Sequence, residues 1–149
     1  NFKNVFLNIY GDGDEKYKKK LIMIKNQKGF VLNFYKPVSN ITKFLSLTDI
    51  LVLPSIKFES FGMVLIEAMR QKVPVICSDS GGMKEIVKNN INGLTFKNNN
   101  IDDLKKKLSI LIYSNNKRKE FGKKGYLTFT KKFSNKILIK EYQKLTHEK

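Results

Sequence analysis

Residues 48–69 read TDILVLPSIKFESFGMVLIEAM, and this stretch decides the predicted fold. Residues 50–53 (ILVL) are apolar without polar alternation, which is typical of a strand covered on both faces. Pro54 and Ser55 end that strand. Residues 61–70 then place apolar side chains at helical spacing and predict a helix. A buried strand, a loop and an amphipathic helix in this order indicate a parallel β-α unit.

The same alternation continues on both sides of this stretch. Further strands are predicted over residues 5–10, 31–34, 73–77 and 94–96. Further helices are predicted over residues 14–28, around 41–45, and over 84–88, 101–113, 117–131 and 135–146. We therefore predict an α/β protein with an open, doubly wound, Rossmann-like parallel sheet and a helical C-terminal tail. With 149 residues and no evident linker, the chain is predicted to be a single domain, residues 1–149.

The chain is strongly basic, with 29 Lys and Arg against 13 Asp and Glu and a net charge of +16. Three kinds of partner fit such a charge: nucleic acid, an anionic membrane surface, or an anionic small substrate. A fourth explanation is a composition rich in Lys, Asn, Ile and Phe, which AT-rich genomes tend to encode. The charge by itself therefore decides nothing about function.

The sequence contains one cysteine, Cys77, and one histidine, His147. These counts exclude an internal disulfide, a cysteine-based metal site and a histidine-dependent catalytic triad. The apolar run around Cys77 predicts a buried, inert thiol. No run approaches the roughly 20 apolar residues of a membrane span, and no signal peptide pattern is present, so we expect a cytoplasmic protein. Because the sequence begins at Asn1 rather than Met, we also expect a shortened chain.

Two carboxylates, Glu59 and Glu67, stand eight positions apart on either side of a predicted helix start. Free backbone N–H groups and the positive end of the helix dipole make such a start a natural phosphate site. Gly62 would let a phosphate approach the backbone closely.

Helix geometry separates the possible roles of the two carboxylates. Glu67 lies about five residues into the predicted helix, roughly 7–8 Å along its axis, which is about the span from a pyrophosphate to a ribose. A carboxylate can accept two hydrogen bonds from a ribose diol. Glu59 lies on the other side of the phosphates, where an attached sugar would be. The alternative is a surface helix whose two glutamates are only solvated.

These residues resemble the donor-binding domain of family-4 retaining glycosyltransferases of the GT-B type, whose hallmark is E-x7-E. The resemblance implies the C-terminal, nucleotide-sugar-binding domain of such an enzyme. It covers residues 5–135 and also includes YGDGDEK at 10–16, FYKPVSNI at 34–41, VPVICSDSGGMKEIV at 73–87 and NGLTF at 92–96.

The resemblance implies a role for each residue around the two carboxylates. Glu59 would be the catalytic residue and would bind hydroxyls of the donor sugar, while Glu67 would hold the ribose. The diphosphate would be held by the backbone around four residues: Ser60, Phe61, Gly62 and Met63.

Five residues nearer the N-terminus also match positions of the family pattern. By resemblance, Tyr35, Lys36 and Pro37 would border the base, and Gly11 and Gly13 would shape the rim of the cleft. Lys36 stands where the family usually has glycine, so it could contact phosphate or base, or be a solvated loop lysine. The turn at residues 80–82 could likewise be structural or lie near the phosphates.

The implied reaction is transfer of a sugar from a nucleoside-diphosphate sugar with retention, helped by stabilisation of the departing diphosphate. No metal or other cofactor is expected. The acceptor would be a glycan or lipid-linked molecule, as in polysaccharide biosynthesis, bound by an N-terminal domain that this sequence does not contain. The family's upstream Arg and Lys are also absent, so the chain alone is expected to transfer little.

Two other interpretations stay open. A basic nucleic-acid-binding α/β module would account for the charge but not for two glutamates that flank a glycine-bearing helix start. A non-catalytic remnant of a split glycosyltransferase would fold but lack activity. Basic helices could also rest on the anionic inner membrane face, where each Lys or Arg contributes ~1 kcal/mol.

Overall fold

The computed structural model describes residues 5–28, 30–38, 40–56 and 59–147. The chain divides into two compact units, Asn1–Ile41 and Thr42–Lys149. Whether residues 1–149 act as a single domain, as the sequence predicts, stays a prediction. Lys57 and Phe58, which belong to the 48–69 stretch, lie outside the described residues.

The first unit contains one β-α-β element. Strand β1 (Phe6–Tyr10) pairs in parallel with β2 (Val31–Tyr35), and helix α1 (Glu15–Lys28) connects them. Strand β2 extends one residue beyond its predicted end, since Tyr35 continues the ladder opposite Tyr10, and the two rings stack with centroids 4.8 Å apart. The parallel crossover that the sequence predicts for this part of the chain is confirmed.

The second unit contains a parallel sheet of three strands in the order β3-β4-β5. Its elements in chain order are α2 (Ile41–Leu45), β3 (Leu51–Leu53), α3 (Met63–Arg70), β4 (Val75–Ser78), α4 (Met83–Ile86), β5 (Leu94–Phe96), α5 (Ile101–Ile112), α6 (Asn115–Lys132) and α7 (Asn135–His147). Because all three strands run the same way, their carboxyl ends lie at one edge of the sheet. The predicted α/β class with parallel strands is confirmed, although the strands form two sheets where the sequence predicted one layer.

The core of the second unit lies around its central strand. All four residues of β4 are buried, as the apolar run predicts. A cluster of buried side chains joins the sheet to the C-terminal helices and contains Ile76, Leu94, Phe96, Leu111 and Phe121. Strand β3 pairs with β4 on one side and, unlike the other edge strand β5, contributes only partly buried side chains to the packing of the core cluster. The prediction of burial on both faces for residues 50–53 was therefore wrong.

Cys77 lies on β4 and is completely buried. Burial raises the pKa of its thiol to about 12, and the negative charge of Asp79 acts in the same direction. The thiol therefore stays protonated near neutral pH, and the predicted inert, buried cysteine is confirmed.

Helices α5 and α6 each begin at a side chain that accepts a hydrogen bond from the first turn. Oδ1 of Asn100 accepts from the N–H of Asp103 at 2.9 Å, and Oγ of Ser114 accepts from the N–H of Lys117 at 3.2 Å. The cap at Ser114 explains why α6 begins two residues before its predicted start. None of the helices in the described part of the chain is long and apolar enough to cross a membrane.

Candidate functional site

Helix α3 begins at Met63, two residues after its predicted start. Gly62 has a φ of 76°, in the left-handed region, so a right-handed helix cannot continue backward through it. A Cβ at Gly62 would lie 3.2 Å from Cδ2 of Leu53 and 3.3 Å from Cγ of Met83. Both the left-handed backbone conformation and the close side chains therefore favour glycine at this position.

Glu59 folds back onto the start of α3. Its Oε1 accepts a hydrogen bond from the N–H of Gly62 at 3.2 Å, and the side chain is partly buried. The Gly62 amide, one of those expected to hold a diphosphate, is thus already occupied. No side chain caps α3, so the free amides at the helix start are those of Met63 and Val64 among the described residues.

Glu67 lies four residues after Met63, roughly 6 Å along the helix axis. Residues four apart share one face of a helix, and the side chain of Met63 on that face is 59% exposed. Glu67 is partly buried between the buried residues Ile66 and Ala68. Within the described residues its carboxylate makes no hydrogen bond or ion pair. This carboxylate can therefore accept hydrogen bonds from a molecule at the start of α3.

The remaining residues of the predicted diphosphate segment are exposed. Ser60 is exposed, and the side chain of Phe61 is 38% exposed. The Phe61 ring meets the ring of Phe133 edge to face at a centroid distance of 6.2 Å. Phe133 therefore helps to orient the segment that precedes α3.

A glycine turn supports the backbone of the segment that carries Glu59. The N–H of Gly82 donates to the Glu59 carbonyl at 3.1 Å. A Cβ on Gly81 would overlap the Glu59 carbonyl oxygen, and one on Gly82 would overlap that of Ser60. The turn at residues 80–82, whose role the sequence left open, packs directly on this backbone; a role near the phosphates stays a prediction.

Sequence reasoning missed three polar residues that follow or end neighbouring strands. Oγ of Ser78 donates to the Ser55 carbonyl at 2.7 Å. The Asn98 N–H donates to Oδ1 of Asp79 at 2.7 Å, and Nδ2 of Asn98 donates to the Ile56 carbonyl at 2.9 Å. Their position at the carboxyl ends of β4 and β5, where ligands bind in parallel sheets, was the signal in the sequence that could have identified them.

The predicted residues of the first unit lie at the carboxyl ends of β1 and β2. The N–H of Gly11 donates to the Tyr35 carbonyl at 3.0 Å, which joins the two strand ends. Lys36, Pro37 and Gly13 are exposed. Their roles beside the base and at the rim of a cleft stay predictions.

Residues 1–128 match the sequence profile of the glycosyl transferases group 1. The chain belongs to this family. An uncharacterized glycosyltransferase of Methanocaldococcus jannaschii is 38% identical over 135 residues, which are 89% of this chain and 38% of that protein. The poly(ribitol-phosphate) alpha-N-acetylglucosaminyltransferase of Staphylococcus aureus is 29% identical over 143 residues, 95% of this chain and 29% of that protein. The chain thus spans about a third of the length of these relatives.

The fold is that of a GT-B glycosyltransferase domain. The crystal structure of Anabaena HepE in complex with UDP matches 97% of this chain and 42% of its own, with a TM-score of 0.86 and 22% identity. A second structure of HepE, with UDP-glucose, matches with a TM-score of 0.84. At this identity the likeness shows the fold, and the predicted GT-B architecture is confirmed.

Proposed function

We propose that this chain is the nucleotide-sugar-binding, C-terminal half of a retaining family-4 glycosyltransferase of the hexosyltransferase type. One observation carries the proposal. The start of α3 presents the free amides of Met63 and Val64 between two carboxylates, those of Glu59 and Glu67. Membership of the glycosyl transferases group 1 supports it.

Each group at the start of α3 has a distinct task in this proposal. The amides of Met63 and Val64, at the positive end of the helix dipole, donate to diphosphate oxygens. They also stabilise the charge that develops on the diphosphate as its bond to the sugar breaks. Glu67 accepts hydrogen bonds from the ribose diol. Glu59 keeps Oε1 on the Gly62 amide and offers Oε2 to hydroxyls of the sugar.

The donor to test first is UDP-glucose, because HepE has been crystallised with UDP and with UDP-glucose. We propose that binding needs no metal ion, since backbone amides and the helix dipole supply the positive potential. Donor binding is therefore expected to persist in the presence of EDTA.

The acceptor is proposed to be a glycan or a lipid-linked molecule that binds to a second domain of the GT-B type, in the cytoplasm. The share of its relatives that this chain spans, 38% of the archaeal protein and 29% of the staphylococcal one, supports a second domain. The chain alone is then expected to bind donor but to transfer little sugar. The nucleic-acid alternative is supported only by the net charge and by aromatic residues interspersed among the basic ones.

Replacing Glu67 by alanine is expected to weaken the binding of both UDP and UDP-glucose by about tenfold to a hundredfold. The reason is the loss of the charged acceptor of the ribose diol, since one hydrogen bond to a charged group contributes ~1.5–3 kcal/mol. Isothermal titration calorimetry with EDTA measures both ligands. Glu85→Ala, which removes an exposed carboxylate from α4, serves as the matched control.

Unchanged affinity of Glu67→Ala for UDP would show that the ribose assignment is wrong. If the unaltered chain binds neither ligand, the interpretation as a non-catalytic remnant is favoured instead.

A basic depression beside α6 supports peripheral association with the inner membrane face. It is lined by Lys72, Lys119, Lys123, Tyr126 and Leu127, which we call the α6 basic patch. Lys119 and Lys123 are exposed and form no ion pair within the described part of the chain, and Leu127 is 45% exposed. Exposed lysines around an apolar side chain fit an anionic bilayer surface.

The double variant Lys119→Ala, Lys123→Ala is expected to bind anionic vesicles about thirtyfold less than the unaltered chain, since each lysine contributes ~1 kcal/mol. The control is Lys16→Ala, Lys19→Ala, which removes two exposed lysines from α1. Sedimentation with zwitterionic vesicles and with vesicles that contain anionic lipid measures the effect. Equal binding to both vesicle types, or equal losses in both double variants, would show that the α6 basic patch is not a site of membrane binding.

A further inference from the structure

Three backbone carbonyls that follow β3, those of Ser55, Ile56 and Glu59, each accept a hydrogen bond from a residue distant in sequence. Ser78 donates to the Ser55 carbonyl at 2.7 Å, Asn98 donates to the Ile56 carbonyl at 2.9 Å, and Gly82 donates to the Glu59 carbonyl at 3.1 Å. The first bond comes from the end of β4, the second from the loop after β5, and the third from the glycine turn. The position of Glu59 therefore depends on loops that lie far from it in sequence.

We infer that Asn98 is a positioning residue for Glu59, acting through the Ile56 carbonyl. Ile56 lies three residues before Glu59, and the Asn98 side chain is the group that ties this carbonyl to the third strand of the sheet. The inference rests on the proposed function, in which Glu59 contacts the sugar and Glu67 contacts the nucleotide. Loss of the Asn98 amide then disturbs the sugar end of the donor and leaves the nucleotide end in place.

The other atoms of Asn98 distinguish positioning from general stabilisation. Oδ1 of Asn98 is buried and has no hydrogen-bond partner among the described residues. A buried carbonyl oxygen without a hydrogen-bond partner lowers the stability of the fold, so stabilisation of the fold does not explain an asparagine at this position. The bond to Asp79 is made by the backbone N–H of Asn98, so it survives replacement of the side chain. Asn98→Ala therefore releases the segment at Ile56 while the loop after β5 stays attached to β4.

Calorimetric titration of UDP and of UDP-glucose into the whole chain tests the inference. For Asn98→Ala we expect UDP affinity within about twofold of the unaltered chain and UDP-glucose affinity lower by about three- to tenfold. Glu59→Ala should show the same split, and Ser78→Ala, which frees the neighbouring Ser55 carbonyl, should show it in the same direction. Asn100→Ala is the matched control. It removes one hydrogen bond of similar length from the same loop, but that bond caps α5 and does not reach the Ile56 carbonyl.

Equal weakening of UDP and UDP-glucose in Asn98→Ala, or no change in either, overturns the inference and leaves the proposed function standing. A split of the same size in Asn100→Ala also overturns it, because destabilisation of the loop would then suffice. If the unaltered chain binds neither ligand, the proposed function fails and the inference fails with it. If Glu59→Ala weakens the binding of UDP-glucose no more than that of UDP, the sugar contact of Glu59 is refuted and Asn98 has nothing to position.

Discussion

Replacing Gly82 by alanine is expected to weaken the binding of UDP-glucose at least about tenfold and to destabilise the fold by about 1–3 kcal/mol. Gly82 has φ −67° and ψ −11°, which alanine adopts without strain. The whole effect therefore comes from space, since a Cβ would overlap the Ser60 carbonyl oxygen. Relieving that overlap moves the backbone between Glu59 and the start of α3.

Two measurements separate the effect on binding from the effect on stability. Calorimetry gives the affinity for UDP-glucose, and urea unfolding gives the change in the free energy of unfolding. Lys84→Ala, an exposed residue of α4, is the control and should change neither. Binding by Gly82→Ala that equals that of the unaltered chain would show that the turn does not hold the site in place.

Replacing Gly122 by alanine is expected to lower the free energy of unfolding by about 1–3 kcal/mol. Gly122 is buried in α6, and a Cβ there would overlap the carbonyl oxygen of Lys72, in the turn between α3 and β4. Alanine favours the helix by about 1 kcal/mol over glycine, so the overlap must exceed this gain for the variant to be destabilised. Because the obstacle is backbone rather than a flexible side chain, α6 must shift away from α3.

Gly125 provides the matched comparison within the same helix. It is also buried, but a Cβ there would meet Cγ of Met69 at 3.1 Å, and the nearest backbone atom lies at 3.5 Å. Methionine can adjust, so Gly125→Ala is expected to change stability by less than about 1 kcal/mol in either direction. Urea unfolding of both variants is the test. Equal stabilities of the two would contradict a close approach of α6 at Lys72.

The order and type of the elements could be predicted from the sequence because apolar periodicity is a local property. The run around Cys77 predicted a fully buried strand, and β4 is buried at every position. Residues 94–96 were predicted as a strand and form β5 with the same limits. The helix after Phe61 also follows from its apolar spacing, whereas the roles of Glu59 and Glu67 came from the family resemblance.

The construction of the start of α3 depends on tertiary contacts that the sequence does not reveal. The positive φ of Gly62 moves the start to Met63, and Glu59 takes the Gly62 amide that the sequence assigned to a diphosphate. The Asn98 amide reaches the Ile56 carbonyl across 42 positions in sequence. Periodicity reports how a residue lies on its own strand or helix, whereas these contacts depend on which loops meet at the carboxyl edge of the sheet. Which loops come together at that edge is determined by the packing of the whole unit, so it cannot be predicted from a local pattern of residues.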